Sequence, residues 1–165
     1  MIGNDIVDLA LAQKESNWKR KGFIDKIFTE KEKKLLRESL NPEIMVWNLW
    51  SRKEAAYKIY NRNTKVRAYI PHLLECTNLK SKGNKTWGKV ICKDQLYYTL
   101  TYTTSEYIYS VATINPNDFD KIEDFDCQKV AKDLNGIPYN SINLNPVSIT
   151  HHGRFERKIQ LKRET

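Results

Sequence analysis

The chain has 165 residues, 40% of them hydrophobic and 11% aromatic, which supports one folded domain with a real core and excludes a disordered tail. Its formal charge of +8 favours an anionic partner and leaves nucleic acid, an acidic protein and a phosphorylated metabolite open. Apolar runs fall short of the roughly 20 residues of a membrane helix, Asp5 and Asp8 interrupt the apolar start and argue against a signal peptide, and Cys76, Cys92 and Cys127 lie too far apart for a zinc or redox pair, which suggests free thiols in a reducing compartment, the cytoplasm.

In chain order, "MIGNDIVDLAL" reads as a short strand or strand–turn carrying two aspartates. "FTEKEKKLLRES" predicts a helix, with Thr29 as N-cap, Glu32 closing a capping box three residues on, and Leu35 and Leu36 on the apolar side. After the Asn41-Pro42 break a second helix spans about 42 to 62. Met45, Leu49, Ala56 and Ile59 share one broad face of it, and Trp47, Trp50, Glu54 and Lys58 the other. Apolar residues on both faces place this helix in the middle of the fold. Residues 86 to 114 alternate as three strands, with turns near Lys93-Asp94 and Thr104-Ser105, and predict an antiparallel meander. "NPNDFDKIEDFDCQK" is an acidic connector with a helical turn or two. "DLNGIPY" turns at Asn135-Gly136 into an extended piece at Pro138. The tail starts as a strand and continues as the charged stretch "GRFERKIQLKRET", expected at a sheet edge or partly disordered because only Phe155, Ile159 and Leu161 can be buried.

Glu54 shares a stripe with Trp47 and Trp50, and burying an unpaired carboxylate costs several kcal/mol, so something must neutralise it. One reading is an intrahelical ion pair with Lys58 at i+4. The other adds Asp5: one strand aspartate and one helix glutamate suit magnesium, which completes its shell with water and substrate phosphates, and Lys58 reaches those phosphates. His151 in "SITHHG" is either a hydrogen-bond donor to a phosphate or a structural histidine bonded to backbone.

These stretches ("GNDI", "FTEKE", "WSRKEAAYK", "DLNGIP" and "SITH") resemble the 4'-phosphopantetheinyl transferase superfamily, in the order of its holo-acyl-carrier-protein synthase class, over about residues 1 to 62 and 133 to 154. The resemblance implies transfer of phosphopantetheine from coenzyme A to a serine of an acyl or peptidyl carrier protein, as in fatty acid biosynthesis. It implies magnesium on Asp5 and Glu54, Glu54 helping to deprotonate the serine, Lys58 on the phosphate under attack, and His151 and Lys53 on other phosphates. Asp8 matches an acidic family position and reads equally as a helix-start acid. Glu32 matches a family glutamate that its capping role already explains. An acidic carrier protein suits the basic stretches "NWKRKGFIDK" and "KEKKLLR".

The expected fold is α+β: an antiparallel sheet packed against a long central helix, a transferase-like lobe forming a single domain over residues 1–165. Residues 63–132 form a strand-rich segment and acidic connector inserted into it, where compact synthases have a short connection. Compact members build their sites between subunits of a trimer and larger members within one chain, so both a homo-oligomer and a monomer are open. The competing function is a non-catalytic basic module that binds carrier protein, coenzyme A or nucleic acid. Nucleic acid is disfavoured because few cations lie among the aromatics of "LYYTLTYTTSEYIY".

Overall fold

A computed structural model describes residues 1–125 and 129–162, so Cys127 lies outside the described residues. Strand β1 (Ile2–Asp8) leads directly into helix α1 (Leu9–Glu15), followed by α2 (Phe23–Ile27), α3 (Glu30–Glu38) and the long α4 (Pro42–Thr64). Strands β2 (Leu74–Lys82), β3 (Lys85–Cys92), β4 (Gln95–Thr103) and β5 (Tyr107–Thr113) come next. The chain ends in β6 (Ile122–Asp124), β7 (Val130–Lys132), β8 (Pro138–Asn140), β9 (Val147–His152) and β10 (Phe155–Leu161). The fold is α+β. An antiparallel sheet in the order β1-β5-β4-β3-β2 carries α4 on one face, and a smaller sheet, β6-β10-β9, meets the β1 end on the other.

The helices start where their caps put them. Thr29 and Glu32 close the reciprocal capping box of α3. The Asn41 side chain accepts from the Ile44 N–H, and Pro42 opens α4 at a position that needs no donor. Helix α4 is buried almost all round: Val46, Leu49, Ala55, Ala56 and Ile59 are fully inside. Each large apolar side chain buried in this way contributes about 1.5–3 kcal/mol. Strand β1 lies so close to α4 that a Cβ on Gly3 would collide with the Ala55 carbonyl oxygen, so only glycine fits there.

The expected meander is present as β3, β4 and β5, with Lys93 at φ 53° in the first turn. Residues 63–132 thus supply four of the five strands of the main sheet, and β5 sits directly against β1. Strand β2 was not expected. Its sequence "LECTNLKSK" buries little beyond Leu74 and Cys76, and its pairing slips between Asn78 and Lys80, so period-two alternation is weak. Helices α1 and α2 were also missed, being only 7 and 5 residues long. The charged tail is an edge only in its first part: β10 pairs with β9 along one side, and β6 covers its other side at Ile159–Leu161 alone. Its outer residues Glu156 and Arg157 stay in solvent, while Ile159 joins Ile2 and Val111 in a second small core. Among the described residues no helix is long and apolar enough to cross a membrane.

Candidate functional site

Strand β1 pairs with β5 along one edge, which leaves the N–H groups of its other edge without a strand partner. Side chains of β9 take them. Asn4 N–H donates to Ser148 Oγ (2.9 Å), Ile6 N–H to Thr150 Oγ1 (3.1 Å) and Asp8 N–H to His152 Nδ1 (2.8 Å). The period of two puts Ser148, Thr150 and His152 on one face of β9, opposite every second amide of β1. Because His152 Nδ1 accepts, the neutral ring carries its proton on Nε2.

Helix α4 ties the same strands from its own side. Lys58 Nζ donates to Asn4 O (2.6 Å) and Ile149 O (3.0 Å). One turn on, Arg62 Nη2 donates to Val147 O (2.7 Å) and Pro138 O (3.0 Å). Four helical residues rise about 6 Å and two strand residues about 6.6 Å, so the cations at 58 and 62 meet the carbonyls at 149 and 147 in step. The hairpin between β9 and β10 is clamped by Asp8. That carboxylate caps α1 through the Ala10 and Leu11 amides and receives Arg154 through its backbone N (3.0 Å), Nε (2.9 Å) and Nη2 (2.9 Å). The Arg154 bonds hold the Asp8 carboxyl well below the usual carboxylate range. Gly153 turns the hairpin at φ 54°, and a Cβ there would strike the Asp8 carboxylate.

These ties frame a cavity of about 310 Å³. Asp5, Glu54, His151 and His152 form its polar side, and Phe23, Trp47 and Trp50 its apolar wall. The Asp5 side chain is 14% exposed and that of Lys58 32%, so both stay open to a ligand. Asp5 accepts a hydrogen bond from the Thr150 hydroxyl (3.2 Å), which in turn accepts the Ile6 amide. Burial is the largest influence on Asp5 and pushes its carboxyl up to about 7; Lys58 opposes this and the Glu54 charge adds to it. Glu54 is also raised, again by burial first, with Lys58 and the nearby Tyr69 hydroxyl pulling the other way. Tyr69 stacks edge-on against Trp50 at 5.9 Å.

Asp5, Glu54 and His151 are therefore brought to one cavity. Lys58 lies beside them, but its ammonium turns from Glu54 to the carbonyls of two strands, with Asp5 Oδ1 3.8 Å away. That arrangement replaces the intrahelical ion pair with a tie between α4, β1 and β9. Lys53 is elsewhere. Its ammonium is fully buried and donates to Ile27 O (2.9 Å), Pro71 O (2.9 Å) and Glu32 Oε2 (2.6 Å). All three N–H donors are spent, so the expectation that Lys53 grips a phosphate is not supported by its position. Glu32 is likewise structural, since it accepts from Thr29 N, Cys76 N and Lys53. Asp8 acts as the helix-start acid and hairpin clamp.

Sequence reasoning missed Thr150 and Arg154 and undervalued His152. The alternation Ser148-x-Thr150-x-His152 was a usable signal for a polar strand face. The Arg154–Asp8 pair spans 146 positions and leaves no local trace.

Among the described residues no group of three or more His, Cys, Asp or Glu gathers around a point. The donor set here is two carboxylates, both raised by burial and one raised further by the other. That pair suits a hard cation, which takes one or two carboxylates and fills its remaining positions with water or phosphate oxygens.

A family model described as the 4'-phosphopantetheinyl transferase superfamily matches residues 1–112. The matched stretch carries Asp5, Glu54 and Lys58 and stops before His151. No curated protein matches the chain.

Proposed function

The chain belongs to the 4'-phosphopantetheinyl transferase superfamily, and on that premise we propose that it moves phosphopantetheine from coenzyme A to a serine of an acidic acyl or peptidyl carrier protein, with magnesium on Asp5 and Glu54. The family supports phosphopantetheinyl transfer as the activity in general. The observation that carries the finer reading is the convergence of Asp5 and Glu54, residues of β1 and α4 that lie 49 positions apart in the chain, on one cavity wall, each with a raised carboxyl. Bound there, magnesium supplies charge neutralisation at the pyrophosphate.

The chain's own groups do the rest. Glu54 takes the proton of the serine hydroxyl, a task for which its raised proton affinity suits it. The serine oxygen forms a bond to the pantetheine-side phosphorus, and the bond from that phosphorus to the bridging oxygen breaks, releasing adenosine 3',5'-bisphosphate. Lys58 lends positive charge beside Asp5, and its two carbonyl partners fix its position. His151, exposed at the cavity rim, donates to a phosphate oxygen. Phe23, Trp47 and Trp50 keep one side of the cavity dry, which strengthens each of these interactions. Asp5, Glu54 and His151 reach this cavity within one chain, so the metal-binding pair needs no second subunit. Buried thiols at Cys76 and Cys92 agree with a reducing compartment such as the cytoplasm.

The test is labelling of an apo-carrier protein with a fluorescent coenzyme A. Labelling that requires magnesium and stops on chelation is expected. Labelling at the same rate in excess chelator would contradict the metal assignment. Failure with fatty-acid, polyketide and peptide carriers alike would favour a non-catalytic binding role.

A further inference from the structure

The outer face of the main sheet has a character that no single strand reveals. On β3 and β4 the inward residues Gly88, Val90, Tyr97 and Thr99 face α4 and are buried, so their neighbours point away from the helix. Those neighbours pair a cation with an aromatic ring three times. Lys80 sits over Trp87 at 4.7 Å, Lys85 over Tyr102 at 5.2 Å and Lys89 over Tyr98 at 5.6 Å. Two pairs join directly opposed residues of β3 and β4, and the third joins β2 to β3. Strands β3, β4 and β5 contain no Asp or Glu, and the one carboxylate of β2, Glu75, is held by Lys31 at 2.8 Å. The aromatic run of β4 and β5 holds no Lys or Arg of its own; the fold supplies cations to this face from β2 and β3.

We propose that this face binds single-stranded nucleic acid, with bases stacked on Trp87, Tyr98 and Tyr102 and phosphates held by Lys80, Lys85 and Lys89. Single strands are taken up by surfaces that combine a cationic track with rings on which successive bases stack. The three rings are half-buried, and a cation–π contact holds a lysine weakly enough for it to swing from the ring to a phosphate as a base takes its place. A second copy of the same face would set like charges against one another, which opposes self-association here. An acidic carrier protein is also a poor occupant. Asp5 lies on the α4 side of the sheet, where its opposite residue Ser110 bonds to Ser51, so a carrier seated on the lysine face would not present its serine to the cavity.

The experiment is fluorescence anisotropy with a labelled oligothymidylate of about 12 nucleotides on the full chain. Three phosphate contacts predict a slope of log K against log salt of about −2. The Lys85→Gln/Lys89→Gln variant is expected to lower affinity at least about tenfold and reduce the slope to below about −1 in magnitude. Trp87→Ala is expected to weaken binding about tenfold with the slope unchanged, and Trp87→Phe to restore most of it, because a ring stacks without carrying charge. Both Trp87 variants should label carrier protein as the unaltered chain does. Equal binding of an abasic strand of the same length would overturn the proposal in favour of bare charge. Equal competition by polyglutamate would overturn it in favour of an acidic protein, and unaltered affinity in the lysine variant would remove the face from the interaction altogether.

Discussion

Glu54→Gln is expected to lower the rate of phosphopantetheinyl transfer by at least about a hundredfold, the scale on which single groups that stabilise a transition state act, while the thermal midpoint stays the same or rises. The exchange keeps shape and a carbonyl oxygen but removes the charge and the proton-accepting site. Stability should not suffer, because burial already disfavours the Glu54 charge in the folded protein. The sign distinguishes catalytic from structural use: a carboxylate whose proton affinity is raised by folding gives up stability when ionised, so neutralising it relieves the fold. Transfer kinetics and a melting curve on one preparation decide the matter, and full activity in this variant ends the assignment.

Lys53→Met should do the opposite, with a large loss of stability and little change in activity per folded molecule. Lys53 and Glu32 both have fully buried side chains and meet at 2.6 Å. Removing one member of a buried pair leaves the other charged in a medium that solvates it poorly, at a cost of about 3–5 kcal/mol. For a chain of this length that corresponds to a fall in melting temperature of roughly 10 °C. Glu32→Leu should cost at least as much, since Thr29 N and Cys76 N lose their acceptor as well. If Lys53 instead served a bound phosphate, Lys53→Met would melt normally and raise KM for coenzyme A.

The contrast between these lysines shows what was legible in the sequence. Lys53 and Lys58 lie in one motif, and both looked available to phosphate. Helical spacing puts residues 53 and 58 about 140° apart around the axis at about 100° per residue, so only one can share the stripe of Trp50 and Glu54. Spacing alone indicated Lys58. It carried no information about Glu32 as the partner of Lys53, because that contact depends on how α3 docks. The capping box of α3, the length of α4 and the strands from β3 to β5 were readable because each rests on local periodicity or a short cap motif. Strand β2 was not, because its outer positions are polar and a bulge breaks its alternation. The placement of β10 inside the small sheet depends on Ile159 reaching Ile2 and Val111, a contact no window of neighbouring residues contains. In the site, Asp5 and Glu54 were found by residue type and by resemblance. The Thr150, His152 and Arg154 side-chain bonds that set the geometry around them reach β1 from 144 to 146 positions away.

The central claim is that Asp5 and Glu54 share one divalent ion, and a titration with Mn²⁺ in place of Mg²⁺, followed by its electron paramagnetic resonance signal, tests it most directly. One ion per chain, displaced by excess Mg²⁺, is expected, and its affinity should rise with pH until it levels above about 7, where Asp5 no longer holds a competing proton. Asp5→Asn and Glu54→Gln should each abolish the site alone. Undiminished binding of the ion by either variant would contradict the account.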